Sequence, residues 1–360
     1  MTEPGTPPGG APSPAPSPRR RRFLPAAAVV LLLAVAVAVG TGWWGWQRYG
    51  APGPSAAETT LVVARGSGVQ AIARQLAEAG VVHSPYDVLV AVKARRLLAD
   101  AGLFPGEGDG RGLRAGEYAF PAGVSLRGVL DLLETGRTVI RRFTVPEGLT
   151  SWQIVELLKA DPALTGEIAS IPADGTLLPE TYHYSFGDSR AELVTRMEQA
   201  MRRLLAEAWE GRAPDLPVTT PAQAVILASI VEKETAVAAE RPKVAGVFTN
   251  RLRLRMKLQS DPTVIYALTG GKGPLDRELT RADWRLEHPY NTYHVAGLPP
   301  GPIANPGGES IRAVLNPARH DYLYFVADGT GGHAFAETLD QHNRNVVAWR
   351  RIRDGDGRSE

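Results

Sequence analysis

A carboxyl group near the end of one predicted helix is the first group in this sequence that could do chemistry. The segment 221–240 follows two threonines that can cap a helix, and its leading proline suits a first helical turn. Glu232 shares a mostly apolar side of this helix with Val225 and Ala228, at spacings of three and four residues. Apolar surroundings disfavour a charged carboxylate, so we expect Glu232 to hold a proton near neutral pH. Such a group can serve as the general acid in glycosidic-bond cleavage.

A structural role for Glu232 is the alternative. A glutamate at a helix end also forms ion pairs, and its partner would be Lys233 or an arginine elsewhere in the chain. Other chemistries have less support, because the sequence has no cysteine, no HExxH, no GxSxG and no phosphate-binding loop, and its seven histidines are scattered. The sequence therefore predicts no metal ion and no cofactor.

Polar and aromatic residues before and after this helix predict a sugar-binding site. Aromatic rings suit the faces of sugars, while amide, hydroxyl and carboxyl groups suit their hydroxyls. The predicted substrate-binding residues are Glu180, Tyr182, Glu234, Gln259, Asp261, Tyr290, Asn291, Thr292 and Tyr293. For Asp261 the alternative role is a helix cap, because Pro262 favours a turn or a helix start directly after it.

The elements that must position these residues belong to a chain of 360 residues, which is long enough for two modest domains. Hydrophobic residues make up 44% and charged residues 22%, an ordinary globular balance. The formal net charge of +2 provides no overall field for nucleic acid, so we predict no nucleic-acid partner. The fold class is predicted as α+β, with an N-terminal transmembrane helix, a small LysM-like α+β subdomain and a larger mixed α/β catalytic domain.

The N-terminal region predicts a membrane anchor. Residues 1–22 are rich in Pro, Ser, Gly and Ala and end in four arginines, so we expect a disordered tail that stays in the cytoplasm. Residues 23–46 are uncharged and exceed the ~20 apolar residues that span a bilayer, with three tryptophans for the outer interface. A cleaved signal peptide is the alternative, because small-residue cleavage sites occur within 34–38. Residues 47–58 are interpreted as a flexible linker.

A local pattern recurs three times between residues 59 and 158. A glycine precedes two apolar residues four apart, in the sets Gly66, Ile72, Leu76; Gly123, Val129, Leu133; and Gly148, Ile154, Leu158. The glycine would turn the chain, and the apolar pair would pack a short helix on a sheet. We therefore interpret residues 59–145 as a compact α+β module, LysM-like in outline.

The distal part of the chain, residues 146–350, is predicted as the catalytic domain. Periodic apolar residues predict helices over 191–209, 243–254 and 338–350, and a β-hairpin over 322–335. Residues 351–360 are predicted as a disordered tail.

Five motifs in register carry a resemblance to a known family. They are ASIVEKET (228–235), LQSDPTVIY (258–266), YNTY (290–293), GLPPGPI (297–303) and YLYFVADGTGGHAF (322–335). In this order they resemble the MltG/YceG-like endolytic murein transglycosylases, from the membrane anchor to about residue 347. The resemblance implies a single-pass enzyme of the bacterial inner membrane, with a cytoplasmic N-terminus and a periplasmic catalytic part. It would cut peptidoglycan glycan strands internally and terminate them, with peptidoglycan synthases as candidate partners.

The resemblance also assigns roles to single residues. The family's catalytic glutamate is the first of its VEKET run, which is Glu232 here. It would cleave between N-acetylmuramic acid and N-acetylglucosamine and close a 1,6-anhydro ring, acting first as acid and then as base. Where the family has an LPDTY-like element, this chain has Glu180 in place of the aspartate. The alternatives are a peptidoglycan hydrolase that uses Glu232 with Asp261 or Glu180, and a non-catalytic LysM-type scaffold that binds the cell wall.

Overall fold

The computed structural model describes residues 1–2, 23–103 and 112–356. The chain divides into two compact units between Arg137 and Thr138. The described residues mix helices with three two-stranded antiparallel sheets, which confirms the expectation of a chain with both helices and strands. Most of the predicted N-terminal tail, residues 3–22, lies outside the described residues.

The first unit contains the long N-terminal helix, two strands and three shorter helices. In chain order they are α1 (Phe23–Gly50), β1 (Thr59–Val63), α2 (Val69–Glu78), α3 (Pro85–Asp100), β2 (Gly116–Phe120) and α4 (Leu126–Thr135). Strands β1 and β2 pair with Leu61 opposite Tyr118. Within α1, Ala28–Gly50 is long and apolar enough to cross a membrane.

The recurrent glycine pattern has the structural meaning expected of it. Gly66, Gly123 and Gly148 have φ angles of 82°, 65° and 76°, in the left-handed region that favours glycine. The apolar pairs that follow are all buried on α2, α4 and the corresponding helix of the second unit. Because two copies lie in the first unit and the third in the second, the pattern is not confined to one domain. The LysM-like character of residues 59–145 stays a prediction.

The segment interpreted as a linker is attached to the first unit. Helix α1 continues to Gly50 instead of ending near residue 46. Beyond it, the N–H of Gly53 donates to the Gly123 carbonyl at 3.1 Å, and the N–H of Gly123 donates to the Ser55 carbonyl at 2.8 Å. These backbone hydrogen bonds hold residues 53–55 against the turn before α4, so residues 47–58 are not a free tether.

The second unit contains seven helices and four strands among the described residues. They are β3 (Ile140–Thr144), α5 (Ser151–Ala160), β4 (Thr181–Ser185), α6 (Arg190–Glu210), α7 (Pro221–Glu234), α8 (Arg241–Arg253), α9 (Asp261–Thr269), α10 (Gly308–Leu315), β5 (Tyr324–Ala327), β6 (His333–Ala336) and α11 (Leu339–Asp356). Short 3₁₀ turns occur at Ala238–Glu240 and Asp283–Arg285. β3 pairs with β4, and β5 with β6.

Helix α7 lies in the core of the second unit. Its start matches the sequence prediction, since Pro221 is in the first turn and the hydroxyl of Thr220 accepts the N–H of Gln223 at 3.2 Å. Leu227 and Ile230 are fully buried among side chains of α8 and α10. The end of α7 is therefore held in place by surrounding helices.

Helix α7 ends earlier than the predicted segment 221–240. Its last residue is Glu234, and Thr235 has an extended backbone with φ of −140°. The Thr235 hydroxyl accepts the N–H of Val237 at 3.1 Å, a local bond that competes with helix continuation. The chain turns here, and α8 starts at Arg241, whose guanidinium contacts Glu232 at the end of α7.

Two further boundaries differ from prediction. The division of the chain precedes residue 145 because β3 pairs with β4, which places Ile140–Thr144 in the second unit. At the C-terminus, α11 continues to Asp356, so the first six residues of the predicted tail 351–360 are helical.

Candidate functional site

Glu232 lies in the last turn of α7 and is ion-paired. Its side chain is 5% exposed, and one carboxylate oxygen accepts a hydrogen bond from Arg241 at 3.2 Å. The other oxygen accepts the backbone N–H of Gly307 at 2.9 Å. Arg241 also pairs with Glu147 at 2.7 Å. Glu232 therefore lies in an ion pair and a backbone hydrogen bond, in place of the apolar surroundings expected from the sequence.

Glu234, two residues further on, has different surroundings. Burial raises the pKa of Glu234 to about 7, and the negative charge of Asp261 acts in the same direction. The hydroxyl of Ser260 and the positive charges of His333 and Arg251 oppose this rise. The residue as a whole is only half-buried. Glu234 is therefore a carboxyl group that holds a proton near neutral pH, the property that general acid catalysis requires.

Asp261 begins α9, and its carboxylate is fixed by two aromatic residues. Tyr293 donates its hydroxyl to Oδ1 of Asp261 at 2.7 Å, and Trp284 donates its indole N–H to the same oxygen at 2.9 Å. Burial, with the Asp261 contact, raises the pKa of Tyr293 above its usual range, so this hydroxyl stays a donor. Ser260, not Asp261, occupies the position before the helix.

The Tyr290–Tyr293 run holds the loop that faces α9. Asn291 is fully buried and donates to the carbonyls of Trp284 and Leu286 at 3.2 and 2.8 Å. Thr292 is also fully buried, and its hydroxyl accepts the N–H of Ser260 at 3.0 Å. These two side chains support the loop, and their burial leaves little surface for a ligand.

Tyr290 and Gln259 flank this buried pair. Tyr290 is half-buried and packs against Tyr266, with ring centroids 4.8 Å apart. Gln259 is exposed and left-handed, with φ of 53°, and its N–H donates to the Thr292 carbonyl at 3.2 Å. The Gln259 side chain is thus free of the core and faces solvent.

A cavity of about 830 Å³ adjoins Asp261. Its lining includes Lys233, Asp261, Tyr266, Arg277 and Trp284. Lys233 lies between the two glutamates in sequence, but neither glutamate lines the cavity itself. The volume is within the range of roughly 300–1,000 Å³ typical of ligand sites. Two aromatic rings and charged groups of both signs make it suitable for a sugar ligand.

Glu180 and Tyr182 belong to a different part of the second unit. Tyr182 is buried in β4, and its hydroxyl donates to the Leu178 carbonyl at 2.7 Å. It packs in the core cluster that contains Leu193 and Met197. Glu180 is exposed just before β4, where its carbonyl accepts the N–H of Val145 at 3.0 Å. The structure does not bring these two residues into the group around Glu234 and Asp261.

Several residues of the site were not found by sequence reasoning. They are Arg241, Arg251, Tyr266, Trp284 and Gly307. Trp284 could have been noticed as a tryptophan close to the YNTY motif. Arg241 and Gly307 contact Glu232 only because the chain turns after α7, and no local pattern marks such a contact.

Within the described residues, no group of three or more His, Asp or Glu side chains is arranged to hold a metal ion. A model of the YceG-like family matches residues 61–348. The chain belongs to the YceG-like family. The match includes α7, α9 and the cavity, so every residue of the group around Glu234 lies inside the YceG-like region.

Relatives of this YceG-like chain carry a functional name. A protein from Bacillus subtilis named endolytic murein transglycosylase is 33% identical over an alignment of 264 residues. This alignment covers 65% of this chain and 72% of that protein. One of the same name from Streptococcus pneumoniae is 31% identical over 284 residues, 65% of this chain and 50% of the relative. A solved structure of a putative YceG-like protein from Listeria monocytogenes is 28% identical, covers 81% of this chain and 99% of its own, and has a TM-score of 0.47.

Proposed function

We propose that this YceG-like protein is an endolytic murein transglycosylase that cuts peptidoglycan glycan strands internally. The proposal is carried by Glu234, a carboxyl group whose pKa burial raises to about 7. Glu234 lies beside Asp261, and Asp261 lines the cavity of about 830 Å³. The name shared by the relatives from Bacillus subtilis and Streptococcus pneumoniae supports the same activity.

The proposed reaction uses one carboxyl group twice. Its proton goes to the oxygen between N-acetylmuramic acid and N-acetylglucosamine as the bond from that oxygen to the muramic C1 breaks. The carboxylate then takes the proton of the muramic C6 hydroxyl, whose oxygen forms a new bond to C1. The products are a 1,6-anhydro end and a free 4-hydroxyl, and no water is consumed. Because the nucleophile is part of the substrate, proximity supplies much of the acceleration.

Of the two glutamates, Glu234 suits this double role better. The family motif points to Glu232, whose two carboxylate oxygens already accept hydrogen bonds from Arg241 and from the Gly307 N–H. We therefore assign proton transfer to Glu234. Glu232 would hold Arg241 and the start of α10 in position next to it. Proton transfer by Glu232, as the sequence predicts, is the competing assignment.

Asp261 and the aromatic residues would support the reaction. A negative charge on Asp261 favours the protonated form of Glu234 before the reaction, and it would stabilise positive charge that develops at the sugar C1. The bonds from Tyr293 and Trp284 keep this carboxylate fixed. Trp284 and Tyr266 line the cavity, where their rings would stack on sugar faces.

The two assignments are tested by digesting purified glycan strands with Glu234→Gln and Glu232→Gln and analysing the products by mass spectrometry. We expect Glu234→Gln to lose at least about a hundredfold in rate, a typical general-acid contribution, and Glu232→Gln to lose less. The reverse order would return the role to Glu232. Reducing ends in place of anhydro ends would indicate a hydrolase, and no fragments from the unaltered protein would indicate a binding scaffold.

We also infer that α1 anchors the protein in the bacterial inner membrane. Ala28–Gly50 is long enough for one crossing, and the four arginines at 19–22 favour a cytoplasmic N-terminus. The second unit would then meet its substrate on the periplasmic side. Peptidoglycan synthases remain candidate partners. Protease protection of the second unit in sealed vesicles tests this topology.

A further inference from the structure

A cavity of about 470 Å³ lies in the first unit, where α1 ends. Its lining is mainly apolar and includes Trp44, Trp46, Val90 and Leu98. Arg48 and Arg127 also contribute to the wall. The volume falls within the roughly 300–1,000 Å³ typical of small-molecule sites. A ligand that fits would combine an apolar chain with a negative group.

Helix α3, which forms one wall, is apolar on two opposite sides. Val88 and Ala91 lie on the inner side and are buried in the core of the first unit. Tyr86, Val90 and Leu97 are 74%, 69% and 62% exposed. At about 100° per residue, these three lie within roughly 40° of one another on the outer side, which also carries the exposed Lys93. A helix of a water-soluble domain normally turns a polar side outward, so the outer side of α3 requires an explanation.

Helix α3 is fixed to the end of α1 by buried polar contacts. Arg95 of α3 donates to the hydroxyl of Tyr49 at 2.5 Å. Its guanidinium also pairs with Asp131 and Glu134 of α4, at 2.7 and 2.8 Å, and the Arg95 side chain is only 4% exposed. Tyr49 is in the last turn of Ala28–Gly50, the segment inferred above to span the membrane, so α3 would lie at the level where α1 leaves the bilayer.

Positive charges surround this region. Lys93 and Arg96 are exposed on α3, and Arg48 and Arg127 belong to the cavity wall. Arg48 and Arg127 each have a carboxylate neighbour, Asp87 at 3.9 Å and Asp131 at 3.7 Å, and both separations are too long for strong hydrogen-bonded pairs. A cluster of basic side chains at the membrane surface attracts the phosphates of anionic lipids.

We propose that this cavity and the outer side of α3 form a binding site for an anionic phospholipid of the membrane that α1 crosses. An acyl chain occupies the apolar cavity, and the lipid phosphate contacts Arg48 and Arg127. Val90 and Leu97 enter the interfacial layer, so α3 lies on the bilayer. The proposal rests on the membrane anchoring inferred for α1 and not on the enzymatic activity.

The absence of cysteine makes a direct test simple, because single cysteines introduced into the full-length protein can be spin-labelled without background. The protein is placed in nanodiscs that contain phosphatidylglycerol, and each label is measured for access to oxygen and to a water-soluble nickel complex. Labels at Val90→Cys and Leu97→Cys are expected at or below the headgroups. Val37→Cys in α1 is the reference for the bilayer interior, and Arg202→Cys, exposed on α6, is the reference for water.

Labels at Val90 and Leu97 that behave like the one at Arg202, while Val37 reports bilayer, would overturn the lipid site and leave the anchor intact. A water-exposed label at Val37 would overturn both. Independently, native mass spectrometry with added phosphatidylglycerol should show loss of most bound lipid in Ala94→Trp, which fills the cavity. Ala57→Trp adds the same side chain at an exposed position outside the cavity and should retain the lipid. Equal lipid retention by the two variants would contradict the proposal.

Discussion

Two glutamates separated by one residue have opposite environments at the end of α7. Residues two apart on a helix point about 200° apart, so Glu232 and Glu234 face different neighbours. Glu232 meets a guanidinium and a backbone N–H, whereas Glu234 meets Asp261 in a poorly hydrated position. One carboxyl group is therefore held in an ion pair, and burial raises the pKa of the other to about 7. This separation of roles is the basis of three predictions about single residues.

The pH dependence of activity should report on Glu234. A general acid must start protonated, so kcat/KM should fall as pH rises above about 7, the pKa of Glu234. Asp261→Asn removes a charge that raises this pKa, so the alkaline limb of the curve of kcat/KM against pH should move to lower pH. Glu232→Gln is the matched control and should leave the limb in place. A limb that moves with Glu232→Gln and not with Asp261→Asn would contradict the assignment.

The stability of the second unit should depend on pH through the same group. The pKa of Glu234 is raised from 4.5 to about 7, so the folded state binds more protons than the unfolded state between these values. Stability is therefore lost as pH rises from about 4.5 to 7, by at most roughly 3 kcal/mol. Glu234→Gln abolishes this titration, so its Tm should exceed that of the unaltered protein by more at pH 8 than at pH 4.5. An equal difference at both pH values would argue against a raised pKa for Glu234.

Removing the partner of Glu232 should be costly. In Arg241→Met, the Glu232 carboxylate, which is only 5% exposed, would lose its ion pair and keep the hydrogen bond from the Gly307 N–H. We expect a loss of roughly 2 kcal/mol in the free energy of unfolding, below the full value for a buried pair because Arg241 retains some exposure. The double variant Glu232→Gln, Arg241→Met should recover part of the loss. Additive losses in a thermal denaturation cycle would show that the two side chains do not interact.

Among the turns before the helices, substitution of a glycine can distinguish the effect of backbone conformation from the effect of packing. Gly66 and Gly112 both have open space where a Cβ would be, but only Gly66 has positive φ, at 82°. Gly66→Ala should therefore destabilise the first unit by about 1 kcal/mol or more, while Gly112→Ala should leave stability unchanged or slightly raised, because alanine adopts that backbone without strain. Thermal denaturation of the two variants is the measurement. Similar losses in both would indicate that φ is not the reason for glycine at position 66.

Local patterns predicted elements whose cause is local. The buried pair Ile72 and Leu76, the capped start of α7 after Thr220 and the β5–β6 hairpin all depend on residues close in sequence. The end of α7 was not predicted, because residues after Thr235 have good helix propensity and a single side-chain hydrogen bond overrides them.

Long-range contacts determine the surroundings of Glu232, which local sequence patterns do not show. The apolar side of a helix predicted Glu232 as the proton donor. The actual surroundings of this carboxylate depend on Arg241 and on Gly307, which is 75 residues away in sequence. The sequence did place Glu234, Asp261 and Tyr293 in the substrate-binding set, and the structure brings these three together. The roles proposed within the set are argued from tertiary contacts.

At the scale of the whole molecule, each unit has its own core, and the long N-terminal helix is part of the first one. Tyr49 of α1 packs against that core and accepts the hydrogen bond of Arg95. The described part of the chain therefore shows α1 as a structural member of the first unit, where the sequence predicted an anchor followed by a tether.

The contribution of α1 to the stability of the first unit can be measured by removing the hydroxyl group of Tyr49. Tyr49→Phe removes one of the acceptors of the buried Arg95 and should lower the free energy of unfolding of the first unit by about 1 kcal/mol. Tyr86→Phe is the matched control, because that side chain is 74% exposed and should tolerate the change. Thermal denaturation in detergent is the measurement. Equal stability of both variants would mean that α1 is only loosely joined to the unit.

Helix α1 runs unbroken to Gly50 and is bonded into the first unit through Tyr49. A membrane-spanning helix tilts when the thickness of the surrounding lipid changes. A flexible joint would absorb such a tilt, but a stiff one passes it on as a rotation of everything attached. In the proposed membrane-anchored state, changes in the acyl-chain length of the lipid would therefore tilt the first unit together with α1.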